Sequence, residues 1–234
     1  MIRLKNESPK NLVPEFFDNT AGTYDKIAVW CTFSKDKYWK NEIIRHISNG
    51  KMILDLACGT GILTRKIAEK FPNSKIIGVD ITESYLELAK KNSASYNNIT
   101  YILHDAEKLD LNSKFDCITS SYIPKYCDAK ILVKRCLEHL NVGGKIIFHD
   151  FTYPKNIIHR KLWDFYFVLL NFIGLFMPSW KKAFDKLPRL IRNSAWVNNY
   201  TDEMRKNGLE VEQYSLTCDS SAIIVGTHTS KNEK

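Results

Sequence analysis

Two features of this sequence have the residue types and spacing to work on one ligand. Asp55-Leu56-Ala57-Cys58-Gly59-Thr60-Gly61 follows a short apolar run and leads directly into a helical pattern. Gly59 and Gly61 remove side chains where backbone would pass close to a ligand, and the helix that follows presents free N–H groups there. Taken alone, the same residues also suit a plain strand-to-helix turn. Asp80 ends the next apolar run, KIIGVD, where a carboxylate can accept both hydroxyls of a ribose. Its alternative role is an acid at the N-terminus of the helical segment that begins at Thr82. Together the turn and Asp80 bracket a site the size of a nucleoside.

The elements that must hold these residues follow from the apolar pattern. From Met52, the runs MILDLA, KIIGVD, ITYIL, FDCITSS and KIIFHDF alternate with amphipathic helical stretches. That alternation predicts parallel strands joined by crossover helices, a doubly wound α/β sheet. Two more runs, VEQYSL and SAIIVGT, follow a helix expected from Thr201 to Asn207 with Gly208 as its stop. The expectation is a seven-stranded, mostly parallel sheet. Residues 1–50 carry Phe16, Phe17, Tyr24, Trp30, Tyr38 and Trp39 on mixed spacing and read as a helical lid ahead of the main sheet domain over 51–234. Between the fifth and sixth strands lies an insertion, 152–200, with the stretch FYFVLLNFIGLFM. A helix of that length cannot cross a bilayer about 30 Å thick, so the stretch is expected as a buried helix, a lid or an interfacial segment.

Composition narrows the setting. With 44% apolar and 26% charged residues in 234, the chain can bury one good core. A net charge of +8 would suit nucleic acid or an anionic membrane, but the lysines are spread along the chain and read first as a soluble surface. The six cysteines form no C-x-x-C pair and stand at no ligand spacing with histidine, so neither a zinc site nor a disulfide framework is expected. A reducing, cytoplasmic setting fits this usage. The opening MIRLKNESPKNLVPEFF has no apolar core of signal-peptide length.

The series LDLACGTG, GVDIT, LHDAEKL, FDCITSS and VGGKIIFHDF resembles the motif order of class I S-adenosylmethionine-dependent methyltransferases over residues 52–151. A nicotinamide site would more often show G-x-G-x-x-G, and here the third position is Thr64. The resemblance implies S-adenosylmethionine as co-substrate and no metal. Asp55, Gly59, Thr60 and Gly61 would hold its methionine part, Asp80 its ribose, and Asp105 with the Ala106 amide its adenine. Ser121 would lie beside the sulfonium, and Ala57 and Ile81 complete the implied set. Physically, Asp105 stands just past the third strand, where a carboxylate can accept from an adenine amino group.

A closer resemblance, over most of the chain, is to the UbiE type of ubiquinone/menaquinone C-methyltransferases. Tyr24-Asp25, Phe33 and Trp39-Lys40 keep that family's Y-D, S-F/L-G and W-K spacing, and FDCITSSYIPKYC, DFTYP and SLTCD stand in its later motif places. The family's F-G-L-R-N follows the fourth strand, but here its Gly-Leu pair is Ile123-Pro124 and its Arg is Lys125. The family's Glu after the fifth strand is Asp150, and the His of its last strand is Ile224. By this resemblance the acceptor is a prenylated quinol, methylated at carbon.

Methyl transfer from a sulfonium is mainly a matter of aligning an acceptor and excluding water. For a quinol ring carbon, removing a phenolic proton makes the carbon nucleophilic. Candidates at the carboxyl ends of the strands are Lys125, Asp150 and Tyr24, with Tyr126 and His149 beside them; each could instead be a packing or solvated residue. A lipophilic small-molecule acceptor and a peripheral membrane contact through 162–182 are expected. The alternatives are an O- or N-methyltransferase acting on another small molecule, a nucleic-acid methyltransferase, and an inactive binding module. SSYIPKY lacks the N-P-P-Y or D-P-P-Y signature of base amino methylation, and an inactive module has no reason to keep Asp55, Gly59, Gly61, Asp80 and Asp105.

Overall fold

The computed structural model describes residues 9–229. Its elements are α1 (Leu12–Phe17), α2 (Ala21–Cys31), α3 (Lys35–His46), β1 (Met52–Leu56), α4 (Ile62–Lys70), β2 (Lys75–Asp80), α5 (Glu83–Asn92) and β3 (Ile99–Leu103). They continue with β4 (Phe115–Ser121), α6 (Ala129–Glu138), β5 (Leu140–Phe151), α7 (Ile157–Gly174), α8 (Pro178–Asn193), α9 (Trp196–Lys206), β6 (Glu210–Leu216) and β7 (Ser221–Thr227).

The strands form one sheet in the order β3-β2-β1-β4-β5-β7-β6, parallel except for β7, which runs antiparallel to both β5 and β6. Side chains alternate across this sheet, so each strand feeds two cores. Leu54, Leu56, Ile118, Ile146, Phe148 and Ile224 face the layer of α6 and α9. Ile53, Cys117, Ile147, Ile223 and Val225 face α3 and α4. Burial on both faces explains why the strands read as nearly continuous apolar runs. The sheet reverses its order between β1 and β4, and a ligand crevice is expected outside their carboxyl ends.

A third apolar cluster lies apart from these two. Phe16 of α1 packs there with Trp163, Phe167 and Leu170 of α7, Trp180 and Phe184 of α8, and Tyr126 from the segment after β4. The N-terminal helices and the insertion thus share one core, although the sequence separates them by more than a hundred residues.

Two local expectations need correction. The last crossover helix begins at Trp196, five residues before Thr201, because Trp196, Tyr200 and Met204 form one buried stripe at helical spacing. The fifth strand starts at Leu140, with an irregular register between Phe115 and Cys117 on its neighbour. The apolar stretch of the insertion, expected as a buried helix, a lid or an interfacial segment, forms a helix buried on one face only. It belongs to α7 and the turn into α8, with Trp163, Phe167, Leu170 and Gly174 buried and the opposite face exposed.

Candidate active site

At the carboxyl end of β1 the backbone turns sharply, and Ala57, Gly59 and Gly61 all take positive φ. A side chain at Gly61 would place Cβ 2.3 Å from the Tyr101 hydroxyl, so glycine is required there by both conformation and space. The turn is tied to the next strand: the Cys58 N–H donates to the Val79 carbonyl at 3.0 Å, and the Gly59 N–H donates to Asp80 Oδ2 at 2.8 Å. Asp80 Oδ1 accepts from the Thr82 N–H at 2.8 Å. Burial pushes the Asp80 carboxyl up, against the pull of these N–H groups. A carboxylate has about four lone-pair sites, so two remain for a ligand.

These residues open on a cavity of about 110 Å³. Ala57, Gly59, Asp80, Ile81, Asp105, Ala106 and Ser121 line it, seven of the ten residues expected around the cofactor. Asp55 and Thr60 line a neighbouring cavity of about 30 Å³, which Ala57, Gly59 and Ser121 also border. Gly61 borders neither and serves the turn. Asp55 is buried and accepts from the Thr64 hydroxyl at 2.6 Å; burial pushes its carboxyl up to about 7. Thr60 donates to Asp25 Oδ1 at 2.5 Å, which ties the lid helix α2 to the glycine-rich turn. Asp105 caps the short 3-10 turn Ala106–Lys108 through the Glu107 N–H at 3.0 Å. It also receives the Lys10 ammonium at 2.5 and 2.6 Å.

Next to this donor-side cavity lies a larger one of about 420 Å³, walled by aromatic and aliphatic side chains of α1, α2, α7 and α8, including Phe16, Ile27, Phe167, Leu170 and Phe184. Phe17, Tyr24, Tyr122 and Tyr126 border both cavities, so the two meet at a gate of three tyrosines and one phenylalanine. Burial pushes the Tyr24 phenol well above its ordinary value. Lys125 lies in the wall of the large cavity. It is no solvated loop cation: its side chain is 2% exposed and its ammonium donates to Asp150 Oδ1 at 2.7 Å and to the Tyr122 carbonyl at 2.8 Å. The Tyr126 ring centroid lies 4.4 Å away. Burial draws the Lys125 ammonium down and the Asp150 carboxyl up, each opposed by its partner.

Asp150 lies behind this pair and lines none of these three cavities. It accepts from the Lys125 N–H at 3.0 Å and the Phe151 N–H at 2.7 Å as well as from the ammonium, which fixes it as the holder of Lys125. Ser121 hydrogen-bonds His149 Nδ1 at 2.9 Å, and His149 Nε2 meets the Ser221 hydroxyl at 2.6 Å. Burial, with Lys40 and Lys125 nearby, holds His149 well below its ordinary range, so it is a neutral structural bridge.

The structure adds residues that the sequence did not single out. Tyr122 borders all three cavities and adopts φ 78°, a conformation that costs a bulky residue about 1–3 kcal/mol and persists where neighbours impose it. Its ring stacks on Phe151 at 4.9 Å, and its hydroxyl donates to the buried Asp36 at 2.7 Å. Asp36 is ion-paired with Lys40 on the same helix. The carboxyl-end rule that selects Tyr126 would equally have selected Tyr122, and the four-residue spacing of Asp36 and Lys40 was readable as a helical pair.

On this sheet, a glycine-rich turn after β1 with acids after β2 and β3 on one cavity defines an S-adenosylmethionine-dependent methyltransferase. The ubiE/COQ5 methyltransferase family matches over residues 2–231, and the chain belongs to that family. A demethylmenaquinone methyltransferase of Lactococcus lactis is 26% identical over 210 residues, which cover 86% of this chain and 83% of that protein. One from Staphylococcus saprophyticus is 26% identical over 189 residues, 77% of each. The solved structure of the N-methyltransferase NodS from Bradyrhizobium japonicum, in complex with S-adenosyl-L-homocysteine, has the same fold with a TM-score of 0.56 at 13% identity, covering 85% of this chain and 88% of that one.

Proposed function

We propose that this enzyme methylates a ring carbon of a prenylated quinol precursor of the menaquinone or ubiquinone type. The observation that carries the reading is the junction of a donor cavity bordered by Asp80 and Asp105 with an apolar cavity of about 420 Å³ through the tyrosine gate, with a buried cation in the apolar wall. A polar or charged acceptor would leave its groups unpaired among these side chains. The demethylmenaquinone methyltransferases among the relatives agree with such an acceptor.

The donor residues suit S-adenosylmethionine. Asp80 has free acceptor sites for the ribose hydroxyls, Asp105 and the Ala106 amide would take the adenine end, and Asp55 and Thr60 the methionine end, with Ala57, Gly59 and Ile81 shaping the floor and Gly61 serving the turn. When bound, the co-substrate supplies an already electrophilic methyl group, and no residue has to polarise it. The chain's own work is to orient the acceptor and keep water out. Lys125 donates to Asp150 and Tyr122 and has a third N–H for an acceptor oxygen in the cavity. Tyr24 closes the gate from the lid, and Asp150 acts through Lys125. No step of this reading asks for a metal.

The tail would leave across α7. Ile158, Leu162, Phe165, Leu169 and Phe172 recur at alternating intervals of four and three residues on the face opposite the buried one, and Phe176 continues the line. Phe165 and Phe172 are 60% and 62% exposed. Lys155, Lys161, Lys181 and Lys182 stand exposed near the two ends of this stripe. Such a face suits shallow insertion at an anionic membrane surface. Among the described residues no helix is long and apolar enough to cross a membrane.

The test is incubation of the purified protein with methyl-labelled S-adenosylmethionine and a lipid extract, followed by identification of the labelled product. A prenylated quinone labelled at a ring carbon is expected. Label only in water-soluble products would overturn the reading.

A further inference from the structure

The Tyr122–Asp36–Lys40 cluster ties α3 to the segment after β4, and its Tyr122 borders both the donor and the acceptor cavity. Asp36 is 2% exposed and Lys40 4%. Asp36 Oδ1 receives both the Lys40 ammonium and the Tyr122 hydroxyl, and the Lys40 Nζ lies 5.0 Å from the centroid of the Tyr122 ring. The Asp36 N–H is bound in turn by the Thr32 hydroxyl at 3.0 Å. Tyr122 thus donates its one hydrogen bond to Asp36, which leaves its oxygen lone pairs free for a further donor. Its side chain borders all three cavities. In the pattern that the sequence resembles, this position is Phe, so the hydroxyl is this chain's own feature.

We infer that Tyr122 is a catalytic residue that takes the proton of an acceptor hydroxyl while passing its own proton to Asp36, with Lys40 holding Asp36 in place. This rests on the reading of the acceptor as an aromatic alcohol. Burial and the Asp36 charge hold the Tyr122 phenol well above its ordinary value, which suits a relay that stays protonated rather than a free phenolate base. As the acceptor O–H bond breaks, its electron pair moves into the ring. The ring carbon bonds to the methyl carbon, and the S–CH3 bond breaks with its pair going to sulfur. The dienone leaves the site and tautomerises to the aromatic product in bulk water, and Asp36 returns its proton through Tyr122 to solvent as the site opens. One proton is released per methyl transferred. The charge balance favours the path: the sulfonium loses its positive charge in the same step in which Asp36 loses its negative one, so the buried site keeps a constant net charge.

Kinetics on 2-prenyl-1,4-naphthohydroquinone test the relay. Tyr122→Phe keeps the ring and should lower kcat about 100-fold or more and raise the acceptor KM about tenfold, with cofactor affinity within about threefold. Asp36→Asn can still accept the tyrosine hydrogen bond but cannot take its proton, and should lower kcat similarly. The double variant should fall no further than either single one, because both act in one proton path. Additive losses, or a wild-type kcat in Tyr122→Phe, would overturn the inference. Binding of 1-naphthol in the presence of S-adenosyl-L-homocysteine is measured alongside, and Tyr122→Phe should weaken it about tenfold. A wild type that leaves the hydroquinone unmethylated would overturn the acceptor reading alone, whereas unchanged naphthol affinity in Tyr122→Phe would overturn the relay.

Discussion

The donor and acceptor halves of this enzyme are built by opposite means. The donor half is local: a glycine-rich turn, an acid closing β2 and an acid after β3 each sit at the end of a strand whose position the sheet dictates. Its central acid, Asp80, is held by backbone N–H groups, while Asp55, Thr60 and Asp105 also lean on the side chains of Thr64, Asp25 and Lys10. The acceptor half is assembled from helices far apart in sequence, and its charges are held by other buried charges, Lys125 by Asp150 and Lys40 by Asp36. A backbone-held site keeps its shape when a side chain changes. One built on buried ion pairs depends on both partners being present.

The sharpest break between the halves should come from Lys125→Met. Turnover should fall about 100-fold or more with cofactor affinity nearly intact. Stability should also fall by about 3–5 kcal/mol, because Asp150 is left buried without its cation. Thermal unfolding and calorimetry separate the two effects. Lys125→Met combined with Asp150→Asn should recover most of the stability and none of the activity. Lys125→Arg should keep part of the activity if the role is charge anchoring.

Asp80→Ala should act on the other half alone. Losing a charged hydrogen-bond partner of the ribose weakens S-adenosylmethionine binding by about 1.5–3 kcal/mol, read by calorimetry. Unchanged affinity would remove Asp80 from the site.

A smaller effect follows from Asp55. With its carboxyl raised to about 7, the folded protein keeps a proton that the unfolded chain has already lost. The contribution of this group to stability therefore falls as pH rises from about 4 to about 7. The cofactor's amine favours the ionised form, so its affinity should rise about tenfold between about pH 6 and pH 8. Asp55→Asn should abolish that dependence in a binding titration.

The smallest effect on the fold is expected on the exposed face of α7. Phe165→Ser with Phe172→Ser should change stability by no more than about 0.5 kcal/mol for each exposed site, while lowering flotation with phosphatidylglycerol vesicles. Phe167→Ala, on the buried face of the same helix, should cost about 3–5 kcal/mol. A protein that never floats would remove the membrane from the account.

The same contrast governs how much could be read from the sequence. Asp55, Gly59, Asp80 and Asp105 announce themselves because a tight turn and a strand-end acid are local patterns, and seven strands follow from alternating apolar runs. Tyr122 and Asp36 lie 86 residues apart, and nothing in their neighbourhoods says that they touch. Lys125 and Asp150 were legible as candidates but not as a buried pair, since pairing depends on how β4 and β5 align. The long apolar stretch that becomes most of α7 was plain in sequence. Which side would meet Phe16 and Trp180 depended on α1 and α8, which no helical period can report.

The claim that a lipophilic aromatic alcohol meets the methyl donor at the tyrosine gate can be tested on the product itself. Carbon-13 methyl-labelled S-adenosylmethionine and 2-prenyl-1,4-naphthohydroquinone would be turned over by the wild-type enzyme and the product examined by carbon-13 NMR. The account predicts a single labelled methyl on the free ring carbon beside the hydroxyl. A label on oxygen, or none in the naphthalene product, would contradict it.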